Sequence, residues 1–138
     1  MTDINYTLIV VATIAQFALG ALWYSPLMFG TWWMQIMEME AVSKEELQKM
    51  QKSMGPFYAL QLFLTLFTTF AFANFMVYGS TLGIYHTAFW IWIGFIAPVQ
   101  ISSVVWANTK KKFWAKQLFV MLSMQLIGIE LAAWILAM

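Results

Sequence analysis

The 138-residue chain contains no cysteine. That excludes disulfides, thiolate metal ligands and a cysteine nucleophile. Arginine is absent too, and all seven basic side chains are lysines. The planar fork that clamps phosphate or carboxylate at two points is therefore missing. Charge of either sign is scarce: seven lysines and six acids leave a net charge of +1 and only 9% charged residues, no electrostatic footprint for nucleic acid. With a single histidine there are too few ligands for a metal, and no nucleophile–base pair is visible. The expectation is no catalytic residues, no metal and no cofactor, with an enzyme the least favoured reading.

Apolar residues are what the chain has in plenty. They make up 62% of it, and mean hydropathy is +0.74. A soluble domain carries about 25% charged residues, and so few charges could not cover the surface of a small globule. Four stretches, residues 4–24, 57–78, 84–106 and 113–138, each reach the roughly 20 apolar residues needed to cross about 30 Å of hydrocarbon. They are apolar on every side instead of alternating, which favours helices over barrel strands. The expected fold is all-α: a single domain over residues 1–138, an integral membrane bundle of four transmembrane helices. A short interfacial or cytoplasmic helix stands between the first and second.

Lysine placement sets the expected direction. Lys44, Lys49 and Lys52 lie between spans one and two; Lys110, Lys111, Lys112 and Lys116 lie around the turn between spans three and four. The remaining turn and both termini have none, so the lysine-rich loops are expected in the cytoplasm and both termini outside, in the cytoplasmic membrane. The first span lacks a positive leading region, with Asp3 the only charge ahead of it, so it reads as an uncleaved span. The lysine run also suits anionic lipid headgroups.

The linker over residues 31–53 is the one sizeable polar stretch. Ser43 followed by Glu46 has capping-box spacing and predicts a short helix over 44–52. Trp32, Trp33, Met34, Ile36 and Met37 suit the headgroup layer. Residues 79–83, glycine at both ends, read as a tight turn. Pro98 leaves the Gly94 carbonyl without its helical donor and predicts a kink in span three. Tryptophans 90, 92, 106, 114 and 134 fall mostly near span ends, as interface belts require.

The run Gly20-Ala21-Leu22-Trp23-Tyr24-Ser25-Pro26-Leu27-Met28-Phe29-Gly30, with Trp33 just after it, is distinctive. It resembles the signature of the bacterial membrane-protein family known as domain of unknown function 1761. Gly94-Phe95, Pro98, the lysine-rich turn and Gly128 are similar to that family's second half. The resemblance covers most of the chain and implies four spans with no established activity. Read physically, Pro26 disfavours helix at Ser25, so the first helix should end near Tyr24, and Gly30 lets the chain turn into the linker. Trp23, Tyr24, Pro26, Gly30 and Trp33 then form either a corner that fixes helix angle or the mouth of a ligand site.

Polar residues within the spans carry the functional readings. Glu130, the only acid in a span, costs roughly 2.5–3.5 kcal/mol near a helix centre and so needs a partner or a task. His86 and Asn74 are its candidate partners, forming with nearby tyrosines a polar cup open to the outside. Gln16, Gln100 and Gln125 make a deeper layer, each about three turns from the outer side. This layer is read as packing glue or as a hydrated path to Glu130. The functional expectation is a small-molecule-binding or proton-coupled transport bundle centred on Glu130. The alternative is a structural or accessory subunit of a larger membrane assembly, or a homo-oligomer. The bilayer is the partner common to all of these.

Overall fold

The computed structural model describes residues 3–79, 81–106 and 110–138, without the side chain of Trp106. Ser80 of the expected 79–83 turn lies outside the described residues. The helices are α1 (Tyr6–Trp23), α2 (Gly30–Ile36), α3 (Lys44–Ser53), α4 (Gly55–Tyr78), α5 (Ile84–Ile91), α6 (Ala97–Trp106) and α7 (Trp114–Leu136). A π-helical turn, Trp92–Ile96, joins α5 to α6, and a 3-10 turn, Lys111–Phe113, leads into α7. No strand occurs among the described residues. Four stretches are long and apolar enough to cross a membrane: Tyr6–Trp23, Gly55–Tyr78, Ile84–Val105 and Lys111–Leu136.

Local chemistry sets the element ends. The Asn5 side chain accepts from Leu8 N–H and starts α1. Ser43 and Glu46 form both halves of a capping box at α3. Glu38 closes α2 at φ 57°, with Met39 N–H reaching back to the Met34 carbonyl and Glu38 N–H to that of Gln35. This is a Schellman-type stop with a non-glycine residue in the left-handed position. In span three, where a kink is expected at Pro98, a π-turn precedes the proline. There Ala97 N–H donates to the Trp92 carbonyl, five residues back. The extra residue in the turn re-pairs backbone groups just ahead of Pro98, which has no N–H to give.

Helix α7 is the hub. It packs against α1, α2, α5, the π-turn and α6, while α4 packs on α1. The main core sits toward the lysine-free end, where Ile9 of α1, Phe72, Ala73 and Met76 of α4, Ala88 of α5, and Ile129, Ala133 and Leu136 of α7 are buried together. Small residues let α1 and α7 approach closely: a Cβ on Gly20 would lie 3.2 Å from Met124 Cε, and one on Gly128 3.9 Å from Gln16 Oε1. Toward the lysines, α4 leaves the bundle. Every residue from Gly55 to Leu64 is exposed, whereas Thr69, Phe72, Ala73 and Met76 are buried.

Candidate functional site

The Gly20–Trp33 run builds a tight corner at the lysine-bearing end. Helix α1 stops at Trp23, and the chain reverses around Ser25. Met28 and Gly30 N–H both donate to the Ser25 carbonyl, and Phe29 N–H donates to that of Trp23. Ser25 Oγ donates to the Leu22 carbonyl and accepts from Leu27 N–H. Gly30 is required by space: a Cβ there would lie 2.5 Å from Ser25 C and 2.7 Å from the Tyr24 carbonyl oxygen.

The aromatic side chains of this corner pack on one another and on α7. Trp23 is 6% exposed, and its Nε1 donates to the Val120 carbonyl at 3.1 Å. Its ring lies 4.8 Å from Phe29, Phe29 lies 5.9 Å from Phe119, and Tyr24 meets Trp33 edge-on at 4.9 Å. Lys116 Nζ sits 5.4 Å from the Trp32 ring. The geometry is a clasp fastening α1 and α2 to α7. The linker segment expected in the headgroup layer is correspondingly docked, with Ile36 only 3% exposed. Lys110 pairs with Glu38 across the two lysine-bearing loops, and its hydrogen bond and charge hold the Glu38 carboxyl below the usual glutamate range, with a smaller contribution from the charge of Lys112.

The six polar residues singled out within the spans fall in separate places. Gln16 is engaged: its Nε2 donates to Thr69 Oγ1 at 2.7 Å, linking α1 to α4, and Thr69 in turn donates to the Thr65 carbonyl. Asn74 bonds back to the Phe70 carbonyl of its own helix. Glu130, His86 and Gln125 make no side-chain hydrogen bond among the described residues. Gln100 is not level with Gln16 and Gln125: at 1.5 Å per residue it lies about 24 Å along the span from Ile84, in the lysine-side half. Its Oε1 is buried without a partner there, as is Oε1 of Gln117 on the adjoining α7.

Glu130 lies about 9 Å from the end of α7 at Leu136 and is half-buried. It shares a side of the helix with Ile127 and Trp134, which are 42% and 54% exposed. Gly128 and Ala132, which face the interior, are on another side. The acid therefore looks outward along the α7 rim. His86 is exposed near the start of α5, which packs on α7. The described residues contain no group of three or more metal-type ligands.

Sequence reasoning passed over Thr69, Gln117, Phe119 and Val120. Thr69 was within reach, since Gln61, Thr65 and Thr69 repeat every four residues on one face of α4. Gln117 and the two α7 positions that receive the clasp carry no local signal.

The all-helical fold with four candidate spans fits a multi-pass membrane protein. The sequence profile of DUF1761, a protein of unknown function, matches residues 7–138, and the chain belongs to that family. No curated protein and no solved structure matches it.

Proposed function

We propose that the chain is a membrane-embedded binding protein whose contact group is Glu130, with His86 on the neighbouring α5, reached sideways from the lipid. The observation that carries this reading is a carboxyl with no hydrogen-bond partner among the described residues, about 9 Å from the end of α7 on its outward side. A carboxylate in hydrocarbon is costly unless it is protonated or matched by a cation. A hydrophobic amine or other lipophilic cation supplies both the charge and an apolar body that suits the rim. Glu130 would then exchange a proton for the ligand. The reading includes the expected direction, with the lysine-bearing loops in the cytoplasm and both termini outside. A central solute path has less support, because Gln16 and Thr69 already satisfy one another across α1 and α4.

The test is labelling by dicyclohexylcarbodiimide in native membranes across a range of pH, read by mass spectrometry, with and without tetraphenylphosphonium. Modification of Glu130 that the lipophilic cation suppresses is expected, and Glu130→Gln removes it. Absence of labelling at every pH, or labelling indifferent to the cation, refutes the reading.

A second reading, a structural or accessory subunit of a membrane assembly, is favoured by different residues. The Gln61 and Gln125 amides are exposed within the spans, and amides in hydrocarbon associate with other helices.

A further inference from the structure

The lysine-side half of α4 has a face that the chain itself does not cover. Residues 58, 61, 62 and 65 share a side with Thr69, Phe72 and Met76 at three- and four-residue spacing. Farther along, that side is the buried one, with Thr69, Phe72 and Met76 2%, 5% and 8% exposed. Toward the lysines it opens as α4 diverges, leaving Tyr58, Gln61 and Leu62 exposed. Gln61 is about 9 Å along the helix from Gly55, and its amide has only a 3.4 Å contact to Thr65 Oγ1. Thr65 spends its own proton on the Gln61 backbone carbonyl. The amide thus keeps donor and acceptor capacity within the span, where lipid offers nothing to pair with.

We infer that a second copy of this chain covers this face, α4 against α4. All seven lysines lie at one end of the spans, so two copies in one membrane point the same way. The axis relating them then runs along the membrane normal, and each residue of α4 meets its equivalent at the same depth. A carboxamide is both donor and acceptor, so Gln61 is complementary to Gln61 of the second copy. A helix of another sequence would need a matching polar group at that level; a second copy supplies it by symmetry. The contact continues the α1–α4 interface, whose polar centre is Gln16 with Thr69. The inference rests on the assembly reading, names its partner, and is independent of what Glu130 binds.

The absence of native cysteine allows a clean test with single-cysteine variants oxidised in native membranes. Disulfide-linked dimers are expected for Tyr58→Cys, Gln61→Cys and Leu62→Cys. They are not expected for Leu60→Cys or Phe63→Cys on the opposite side. Adding Gln61→Leu to Leu62→Cys should lower the dimer yield about three- to tenfold, the range of one interhelical hydrogen bond in a membrane. Dimers at none of the positions, or equally on both sides of α4, overturn the inference, as does a yield unchanged by Gln61→Leu. A photoreactive residue at position 61 separates the two ideas. Capture of a different chain without homodimers ends the second-copy inference and leaves the assembly reading standing; no capture at all ends both.

Discussion

Replacing Gly30 with alanine tests the clasp at its tightest point. The new Cβ would stand 2.5 Å from Ser25 C, 2.6 Å from Ser25 O and 2.7 Å from Tyr24 O. All three are backbone atoms of the corner, so no side chain can swing away to relieve the clash, and the corner must open. Opening it breaks the hydrogen bonds from Gly30 N–H to Ser25 and from Phe29 N–H to Trp23, 2.9 and 3.0 Å long, at about 1 kcal/mol each. It also draws Phe29 away from Trp23 and Phe119, contacts of about 0.5–1.5 kcal/mol apiece. Gly30 is the first residue of α2, so alanine's better helix propensity returns at most about 1 kcal/mol. The expected net loss is about 2–4 kcal/mol. Unfolding from mixed micelles by dodecyl sulfate, followed by far-ultraviolet circular dichroism, measures it. Gly55→Ala is the control, since nothing lies within 4 Å of a Cβ there. If Gly30→Ala unfolds at the same detergent fraction as Gly55→Ala, the corner is not held as described.

The other predictions concern single contacts. Trp23→Phe keeps a ring against Phe29 but removes the donor to the Val120 carbonyl, and should cost about 1 kcal/mol in the same assay. A double-mutant cycle of Gln16→Leu with Thr69→Val should return a coupling of about 0.6–1.7 kcal/mol; a coupling of zero denies the bond between α1 and α4. Ser43→Ala removes the capping box of α3 and should speed trypsin cleavage at Lys44, Lys49 and Lys52 while leaving Lys116 unaffected. Glu38 is held below the usual glutamate range by its hydrogen bond to Lys110 and by that lysine's charge. A carboxyl lowered in the folded state adds stability above its unfolded value and loses it as pH falls through the folded one. The Glu38 carboxyl resonance should therefore titrate below that of an unpaired glutamate, and Lys110→Met should raise its midpoint toward the ordinary one.

The four apolar stretches, the capping box, the stop before Pro26 and the all-helical class were legible because each depends on near neighbours or on length. Helix faces were not. In water, the apolar stripe of a helix marks its buried side, but a span surrounded by lipid is apolar all round. Nothing in the α4 sequence distinguishes the half packed on α1 from the half that diverges. The same limit left Gln117 unremarked at the start of α7. Gln100 was misplaced for a different reason: its depth follows from counting residues from Ile84, which puts it in the lysine-side half of span three, away from Gln16 and Gln125. The glycine-rich corner could be read as a turn, but its receivers, Phe119 and Val120, lie about ninety residues away in an unmarked stretch of α7.

Apart from the buried, unpartnered oxygens of Gln100 and Gln117, the polar groups in these spans divide by how they are satisfied, and the division separates scaffold from surface. Gln16, Thr69, Trp23 and Trp92 all have partners within the chain, the last through Nε1 to the Leu122 carbonyl. They join helices to one another, and their roles are complete without any second molecule. Glu130 and Gln125 have no hydrogen-bonded partner among the described residues, and Gln61 has only its long contact with Thr65. Leaving such groups unmatched in lipid costs free energy that a stable bundle has little surplus to offset. The two proposals answer this exposure, one with a ligand at the α7 rim and the other with a second copy along α4. Because α4 packs on α1 while Glu130 sits on the outward side of α7, the two contacts need not exclude one another. Loss of either one by Glu130→Gln or Gln61→Leu should leave the other intact.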